Sequence, residues 1–335
     1  MKPKVLYVSS SVGLGHVTRD YRLSRLLDWA EITWLTAGKA LQYLLARGER
    51  VHELSHELTS LGGSIMNVIR DCSVRYGPMG LLRLYRDLRR NSDLIRGNLR
   101  LDDYDLVIGD EPWELMMSGL DIPRRSALIT DITYLGGREG LVYGRLNSWL
   151  KRRFRAFTLR FNVGLWARDE EFLTPGQLAT HEDYPGFSEG GPVVINIGGT
   201  DVGDMTANSL VSFLGSRGLK AEVIGGSRFR PDPAELIARA SALVVLAGYS
   251  SLVEVAFLRK RAVILKITGH FEHEENARVF EGRDGYRVLS CDKARPEEVY
   301  KSLIDVLRER PDPPQVRDAS SYIASTIRRL AEQGD

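Results

Sequence analysis

His16 follows two glycines in the run Ser9-Ser10-Ser11-Val12-Gly13-Leu14-Gly15-His16, which itself follows the apolar stretch Val5-Leu6-Tyr7-Val8. A strand that breaks into glycines and resumes as a helix exposes backbone N–H groups at the positive helix end, a setting that suits an anion. An imidazole there can take a proton from an attacking hydroxyl or hydrogen-bond a phosphate oxygen. Arg19 follows one turn later, and its planar fork suits an anionic acceptor or a diphosphate. Gly13, Gly15 and Arg19 thus form a candidate phosphate or acceptor loop, with His16 as its chemical group. A second loop of the same kind, Gly198-Gly199-Thr200-Asp201-Val202-Gly203, follows the apolar run Val193–Ile197. Two such loops in one chain point to two α/β domains with a phosphorylated ligand between them.

Other polar groups fall where apolar runs end. Asp110, followed by Glu111, closes one such run, and Asp131 closes another. Either aspartate is placed to act as a general base for displacement at an anomeric carbon; capping of the following helix is the structural alternative. Asp103-Tyr104-Asp105 precedes a buried run and reads as a turn, not a metal motif. His270 and His273 with Glu272, Glu274 and Glu275 have no third well-spaced ligand beside them and read as an acidic helix start, so no metal site is expected.

The elements that must position these groups alternate throughout. Strands are expected at Lys4–Ser10, Glu31–Ala37, Asp105–Asp110, Ser126–Asp131 and Asn162–Ala167, then at Val193–Ile197, Ala221–Ile224, Ala242–Leu246, Ala262–Ile267 and Tyr286–Leu289. Helices fill the intervals, among them Val17–Trp29, a long basic stretch from about Leu81 to Leu99, Ser251–Arg259, Glu274–Phe280 and Ser320–Glu332. Alternation of this kind implies parallel sheets buried on both faces. The fold class is α/β, with two Rossmann-like doubly wound domains facing across a cleft. Residues 1–187 form the acceptor-binding domain and residues 188–335 the nucleotide-sugar domain, joined through the Gly-, Pro- and acid-rich segment 168–191. In such sheets ligands bind outside the carboxyl ends of the strands. Three loops of the second domain fall there: Gly198-Gly199-Thr200, then Ala247-Gly248-Tyr249-Ser250-Ser251 ahead of Glu254, then Thr268–His273 ahead of Asn276.

These three loops resemble the nucleotide-sugar half of the GT-B glycosyltransferases, in particular the family typified by MurG, the lipid-linked N-acetylglucosaminyltransferase. The family's GGxxG turn is matched at Gly198–Gly203 with one extra spacer. Its Gly-x-x-Thr-x-x-Glu is matched at Gly248–Glu254 with Ser251 for Thr. Its His-x-x-Gln-x-x-Asn-Ala is matched at His270–Ala277 with His273 for Gln. The resemblance covers about 110 residues and implies that Gly198, Gly199, Thr200, Gly248, Ser250 and Ser251 surround the diphosphate. It implies that Glu254 binds the ribose, that His273 and Asn276 face the sugar, and that His270 belongs to the same donor site. The implied activity is inverting, metal-independent transfer from a UDP-sugar without a cofactor. For a hydroxyl acceptor the candidate catalytic residues are His16, which ends a glycine loop like the family's, and Asp110 or Asp131 at their strand ends. The resemblance also implies that the last helix crosses back onto the first domain. A UDP-N-acetylglucosamine 2-epimerase, using Asp110, Glu111 and Asp131 as acids and bases, is the competing enzyme reading. A nucleotide-sugar-binding subunit without activity is the third.

The chain has 335 residues, 43% of them hydrophobic and 27% charged, which are ordinary globular proportions and enough for two cores. No apolar run reaches the ~20 residues of a membrane span, and no secretory leader is evident. Cys72 and Cys291 lie far apart, suggesting neither a disulfide framework nor a metal knuckle and favouring a cytoplasmic protein. The net charge of +2 hides two basic clusters. Arg75, Arg83, Arg86, Arg89, Arg90, Arg96 and Arg100 accompany Tyr76, Leu81, Leu82, Leu84 and Tyr85. Arg145, Lys151, Arg152, Arg153, Arg155 and Arg160 accompany Trp149, Phe154, Phe157 and Leu159. Basic residues interleaved with apolar ones fit an anionic membrane surface and favour a lipid-linked acceptor at the cytoplasmic leaflet. No nucleic-acid-binding motif accompanies them.

Overall fold

The runs Lys4–Ser9, Leu106–Asp110 and Ser126–Thr130 are apolar at consecutive positions, as strands covered on both faces must be. A computed structural model of the chain describes residues 2–65, 68–70, 72–75, 77–136, 141–166, 169–180, 190–199, 204–228, 230 and 233–333. The chain begins with β1 (Lys4–Ser9), α1 (Gly15–Ser24), β2 (Glu31–Leu35), α2 (Gly38–Leu45) and α3 (Leu61–Ile65). A hairpin of β3 (Ile69–Arg70) and β4 (Ser73–Val74) leads to α4 (Pro78–Asn98), β5 (Leu106–Asp110), α5 (Trp113–Ser118), β6 (Ser126–Thr130), α6 (Leu141–Phe154) and β7 (Leu159–Asn162). Next come β8 (Val193–Asn196), α7 (Asp204–Ser216), β9 (Ala221–Ile224), α8 (Ala234–Arg239), β10 (Ala242–Leu246) and α9 (Tyr249–Phe257). The chain ends with β11 (Ala262–Lys266), α10 (Phe271–Arg278), β12 (Tyr286–Ser290), α11 (Pro296–Leu307) and α12 (Ser320–Glu332).

Two five-stranded sheets result, ordered β2-β1-β5-β6-β7 and β12-β11-β10-β8-β9. Every pairing within them is parallel. In the first sheet the order reverses between β1 and β5, and in the second between β8 and β10. Loops leaving the two strands at such a reversal diverge onto opposite faces and leave a crevice at their carboxyl ends. The register fixes which residues meet there: Ser9 pairs with Asp110 and Asn196 with Val245.

The chain forms two compact units. The first comprises Met1–Ile65, Gly77–Leu178 and Arg317–Asp335, and the second Met66–Tyr76 and Ala179–Val316. The boundary expected between residues 187 and 188 lies outside the described residues. Helix α12 belongs to the first unit and packs on α1. Arg22 Nη1 and Nη2 fasten the chain just ahead of α12 by donating to Asp318 at 3.1 and 2.7 Å. The core of the first unit runs through Leu6, Val8, Leu35, Ile95, Val107 and Leu115. Each such side chain stabilises the fold by roughly 1.5–3 kcal/mol when fully buried.

Three expectations need correction. The strand placed at Asn162–Ala167 is β7, four residues at Leu159–Asn162. The Asn162 side chain accepts the Gly164 N–H at 2.9 Å, and Gly164 lies so close to the Asp131 carbonyl that a Cβ would stand 2.4 Å from it, so the chain turns there. Arg160 obscured the strand, because its guanidinium leaves the sheet to donate to Glu171 O. Cys72 and Cys291 are joined by a disulfide, contrary to the reading of two unrelated cysteines. Ser73 pairs with Thr268 just beyond β11, while Cys291 follows the neighbouring strand β12 and donates its N–H to Lys266 O. In a parallel sheet, residues 219 apart in sequence can be neighbours. The second basic cluster is in large part a helix packed on its sheet: Phe154 and Phe157 lie in the core with Met116, Leu128 and Leu150, and Lys151 and Arg155 pair with Glu171.

Candidate active site

The first site is built at the reversal between β1 and β5. Gly13 adopts φ +72°, which a side chain would resist, and α1 starts at Gly15 with no side-chain cap. Ser11 Oγ accepts the Leu61 N–H at 2.9 Å, and a Cβ on Gly62 would stand 3.1 Å from Ser11 O, which ties the loop to α3. His16 therefore enters in the first turn of α1 while Asp110 ends the adjacent strand.

The structure brings His16, Arg19, Asp110 and Asp131 together. Arg19 is only 1% exposed. Its Nε donates to Asp110 Oδ2 at 2.6 Å, Nη2 to Asp110 Oδ1 at 2.7 Å, and Nη1 reaches Asp131 Oδ1 at 2.7 Å. The guanidinium is thus turned inward onto two carboxylates and is not presented to an anion. His16 keeps 14% of its side chain exposed. Its Nδ1 lies 3.2 Å from Asp110 Oδ1 and 3.0 Å from Arg19 Nη2. When Nδ1–H donates to Asp110, the Nε2 lone pair is left free as a base; when Nδ1 accepts from Arg19, the proton sits on Nε2.

Burial works against charge on Asp110, but the adjacent Arg19 and then His16 outweigh it and hold the carboxyl below its ordinary range. Asp20, one residue after Arg19, goes the other way. Burial, and then the charge on Asp110, raise it well above the usual carboxylate value. It is held by the Tyr7 hydroxyl at 2.9 Å and Ser9 Oγ at 2.5 Å. Asp110, gripped by the Arg19 cation, and Asp20, held by the Tyr7 and Ser9 hydroxyls, are thereby driven in opposite directions.

Glu111 completes the group. It is a non-glycine residue at φ +44°, a conformation that costs of order 1–3 kcal/mol. Thr130 Oγ1 donates to its Oε1 at 3.0 Å, and its Oε2 lies 3.8 Å from His16 Nε2. Ligand atoms of His16, Glu111 and Asp131 lie within 4.8 Å of one another, a spacing that a small cation could span. Because the Arg19 guanidinium already holds Asp131, that positive charge is supplied by the protein itself.

The second site is built at the reversal between β8 and β10. Gly198 has φ +72°, its N–H donates to Asn196 Oδ1 at 3.0 Å, and Gly226 N–H donates to its carbonyl at 2.9 Å. Gly199 follows it in the turn, while Thr200 lies outside the described residues. Gly248 is the N-cap of α9, which has no side-chain cap hydrogen bond, and Ser250 and Ser251 are half-buried in its first turn. Glu254 is buried one turn further on and accepts the Thr180 hydroxyl at 2.9 Å. Asn276 Nδ2 donates to Ala247 O at 3.3 Å, which pins α10 to the same loop. A Cβ on Gly248 would lie 3.9 Å from His273 Nε2. His273 Nδ1 accepts the Ile267 N–H at 3.4 Å, so the proton of the neutral ring sits on Nε2, aimed at that loop. His270 caps α10, its Nδ1 taking the His273 N–H. Burial lowers His270 to about 4, and burial with the neighbouring His270 takes His273 well below its ordinary value, so both rings are neutral at pH 7.

Gly248, His273 and Asn276 thus meet at one loop, and Ser251 and Glu254 follow it in the first two turns of α9. Asp20, Tyr7 and Ser9 were missed. The signal was present on α1, where Val17, Asp20 and Ser24 recur at helical spacing and mark a buried face.

No protein-family model and no curated protein matches the chain. Solved structures do. The glycotransferase of kitacinnamycin matches over 98% of this chain and 94% of its own, at TM-score 0.57 and 13% identity. MurG of Acinetobacter baumannii matches over 98% and 100%, at 0.54 and 13%. The spinosyn rhamnosyltransferase SpnG, solved with thymidine diphosphate, matches over 98% and 95%, at 0.56 and 12%. The two parallel sheets are those of the two-domain GT-B glycosyltransferase fold.

Proposed function

We propose that this chain is an inverting glycosyltransferase that moves a sugar from a nucleoside diphosphate donor to a hydroxyl acceptor. The observation that carries the reading is the His16–Asp110 pair at the reversal point of the first sheet, in which His16 keeps 14% of its side chain exposed and Asp110 none. Nε2 takes the acceptor proton, and Asp110 stabilises the imidazolium that forms. Asp110 and Asp131 are positioning residues, since both are buried and bound to Arg19. A single base acting in one displacement inverts the anomeric centre.

The donor is assigned to the second unit. Backbone amides at Gly198-Gly199 and at the start of α9 stabilise the departing diphosphate without a metal ion or cofactor. Glu254 takes the ribose, and His273 and Asn276 lie on the sugar side. Uridine is the base implied by the sequence motifs, while SpnG was solved with a thymidine nucleotide. The test is saturation-transfer NMR in EDTA-containing buffer with UDP- and TDP-sugars. One of them is expected to bind, and Glu254→Gln to weaken it about tenfold, the loss of one charge-assisted hydrogen bond. Equal binding by the variant, or no binding by wild type, would remove the donor assignment. Conversion of the bound sugar with no acceptor present would favour the 2-epimerase, in which Glu111 and His16 would form the acid–base pair.

A lipid-linked acceptor at an anionic, cytoplasmic membrane face fits the exposed side of α4. Met79, Leu82 and Tyr85 are 65%, 60% and 57% exposed there, beside exposed Arg83, Arg86 and Arg89. No described helix is long and apolar enough to cross a membrane, so such contact would be peripheral. Reversing Arg86 and Arg89 to Glu changes the charge by four units and should lower co-sedimentation with phosphatidylglycerol vesicles about 10³-fold, at about 1 kcal/mol per charge near the surface. Unchanged sedimentation would remove the lipid acceptor and leave the transferase reading in place.

A further inference from the structure

Strands β3 and β4 are two residues each, too short to persist as an isolated hairpin in water. Their chain lies between α3 and α4 of the first unit but belongs to the second. Contacts at the end of β11 seat it there. Val74 N–H donates to Thr268 O at 2.8 Å, and Thr268 N–H donates to Cys72 O at 3.0 Å. Val74 also lies against Gly269, which holds φ +77°. Cys72, itself at φ +57°, is bonded to Cys291, their Cα atoms 5.4 Å apart.

Thr268 and Gly269 are the root of the loop that reaches His270, the cap of α10, and α10 carries His273 and Asn276. The hairpin therefore braces the segment that holds these side chains beside Gly248. We propose that the Cys72–Cys291 disulfide is a redox latch: oxidised, it holds the hairpin on the Thr268–His270 segment; reduced, it frees both and weakens nucleotide-sugar binding. The binding part rests on the donor assignment above, whereas the latch itself does not.

Val68 and Ile69, at its first strand, are buried, so the hairpin keeps an apolar anchor once the disulfide is broken, and the cross-link adds the restraint on its far strand. The net worth of a backbone hydrogen bond does not exceed the entropy cost of fixing one residue, so the two bonds to Thr268 hold β4 only weakly without the cross-link. The cross-link spans 219 residues and strongly restricts the unfolded chain. Reduction by a dithiol is balanced. One thiolate attacks a sulfur of the disulfide, and the second thiol resolves the mixed intermediate. The dithiol leaves as a disulfide, having given up two electrons, and two protons end on Cys72 and Cys291. Both cysteines are buried, so attack requires transient opening of the hairpin, and reduction is slow relative to that of an exposed disulfide.

The experiment combines thiol counting with hydrogen exchange on the full chain. Alkylation in denaturant is expected to modify no cysteine before dithiothreitol and two after it. Amide exchange over residues 68–75 and 266–276 is expected to rise at least about tenfold on reduction, with strands β8 and β10 unchanged. The Cys72→Ser/Cys291→Ser double variant should match the reduced protein and be insensitive to dithiothreitol. UDP-sugar or TDP-sugar binding should weaken about tenfold in both. Two free thiols in the air-oxidised protein, or unchanged exchange over 266–276 after reduction, would overturn the latch. Faster exchange with no nucleotide sugar bound by either form would support the latch and count against the donor assignment.

Discussion

His16→Ala is expected to lower kcat about 10²–10⁴-fold while leaving nucleotide-sugar affinity within about twofold, the range for removing a positioned general base. The ring is the most exposed member of a buried chain of charges: 14% of its side chain is accessible, against 4% for Asp131, 1% for Arg19 and 0% for Asp110. Asp110 is fully buried, ionised, and held by both arms of the Arg19 fork, so it cannot itself reach an acceptor. Removing the imidazole takes away the proton acceptor and leaves the second unit untouched, so the loss falls on kcat and not on the donor KM. Release of nucleoside diphosphate, followed with the best acceptor found, measures it. A variant retaining wild-type kcat would refute the base assignment; a variant that no longer bound the donor would refute the division of labour between the units.

Arg19→Met should cost about 3–5 kcal/mol of unfolding free energy at pH 7, because it strips the cation from between two buried carboxylates. Methionine fills much of the volume, so the cavity term is small and the effect is electrostatic. The pH dependence identifies that origin. With Arg19 present, the lowered Asp110 contributes stability that is full above the ordinary carboxylate range and is lost progressively as pH falls from that range through the lower native value. The variant lacks this contribution and can protonate Asp110 at higher pH. Wild type and variant should therefore converge in urea-unfolding free energy as the pH is lowered toward 3. A difference that stayed constant with pH would assign the loss to packing; a difference below about 1 kcal/mol would show that the pairing is not structural.

Much of the fold could be read from runs of apolar residues. Ala221–Ile224 and Ala242–Leu246 were placed to the residue, since buried parallel strands leave a dense hydrophobic signal that glycines terminate sharply. Positions of His16, Asp110 and the three second-unit loops followed, because a strand's carboxyl end is where a doubly wound sheet keeps its ligands. What Arg19 does was not legible: an arginine's partners depend on which way its helix face turns. The hairpin and its disulfide were hidden for a related reason. Four strand residues carry no periodicity, and the pairing of Cys72 with Cys291 exists only after the second sheet has brought β11 beside β12.

Helix α12 and the β3–β4 hairpin share one consequence for anyone recombining this chain. Each unit is assembled from separated stretches, so no single cut yields either one whole. A chimera exchanging the second unit for that of another glycosyltransferase of this fold needs junctions after residues 65, 76, 178 and 316. A one-crossover swap would instead leave α1 without its covering helix and α10 without its brace.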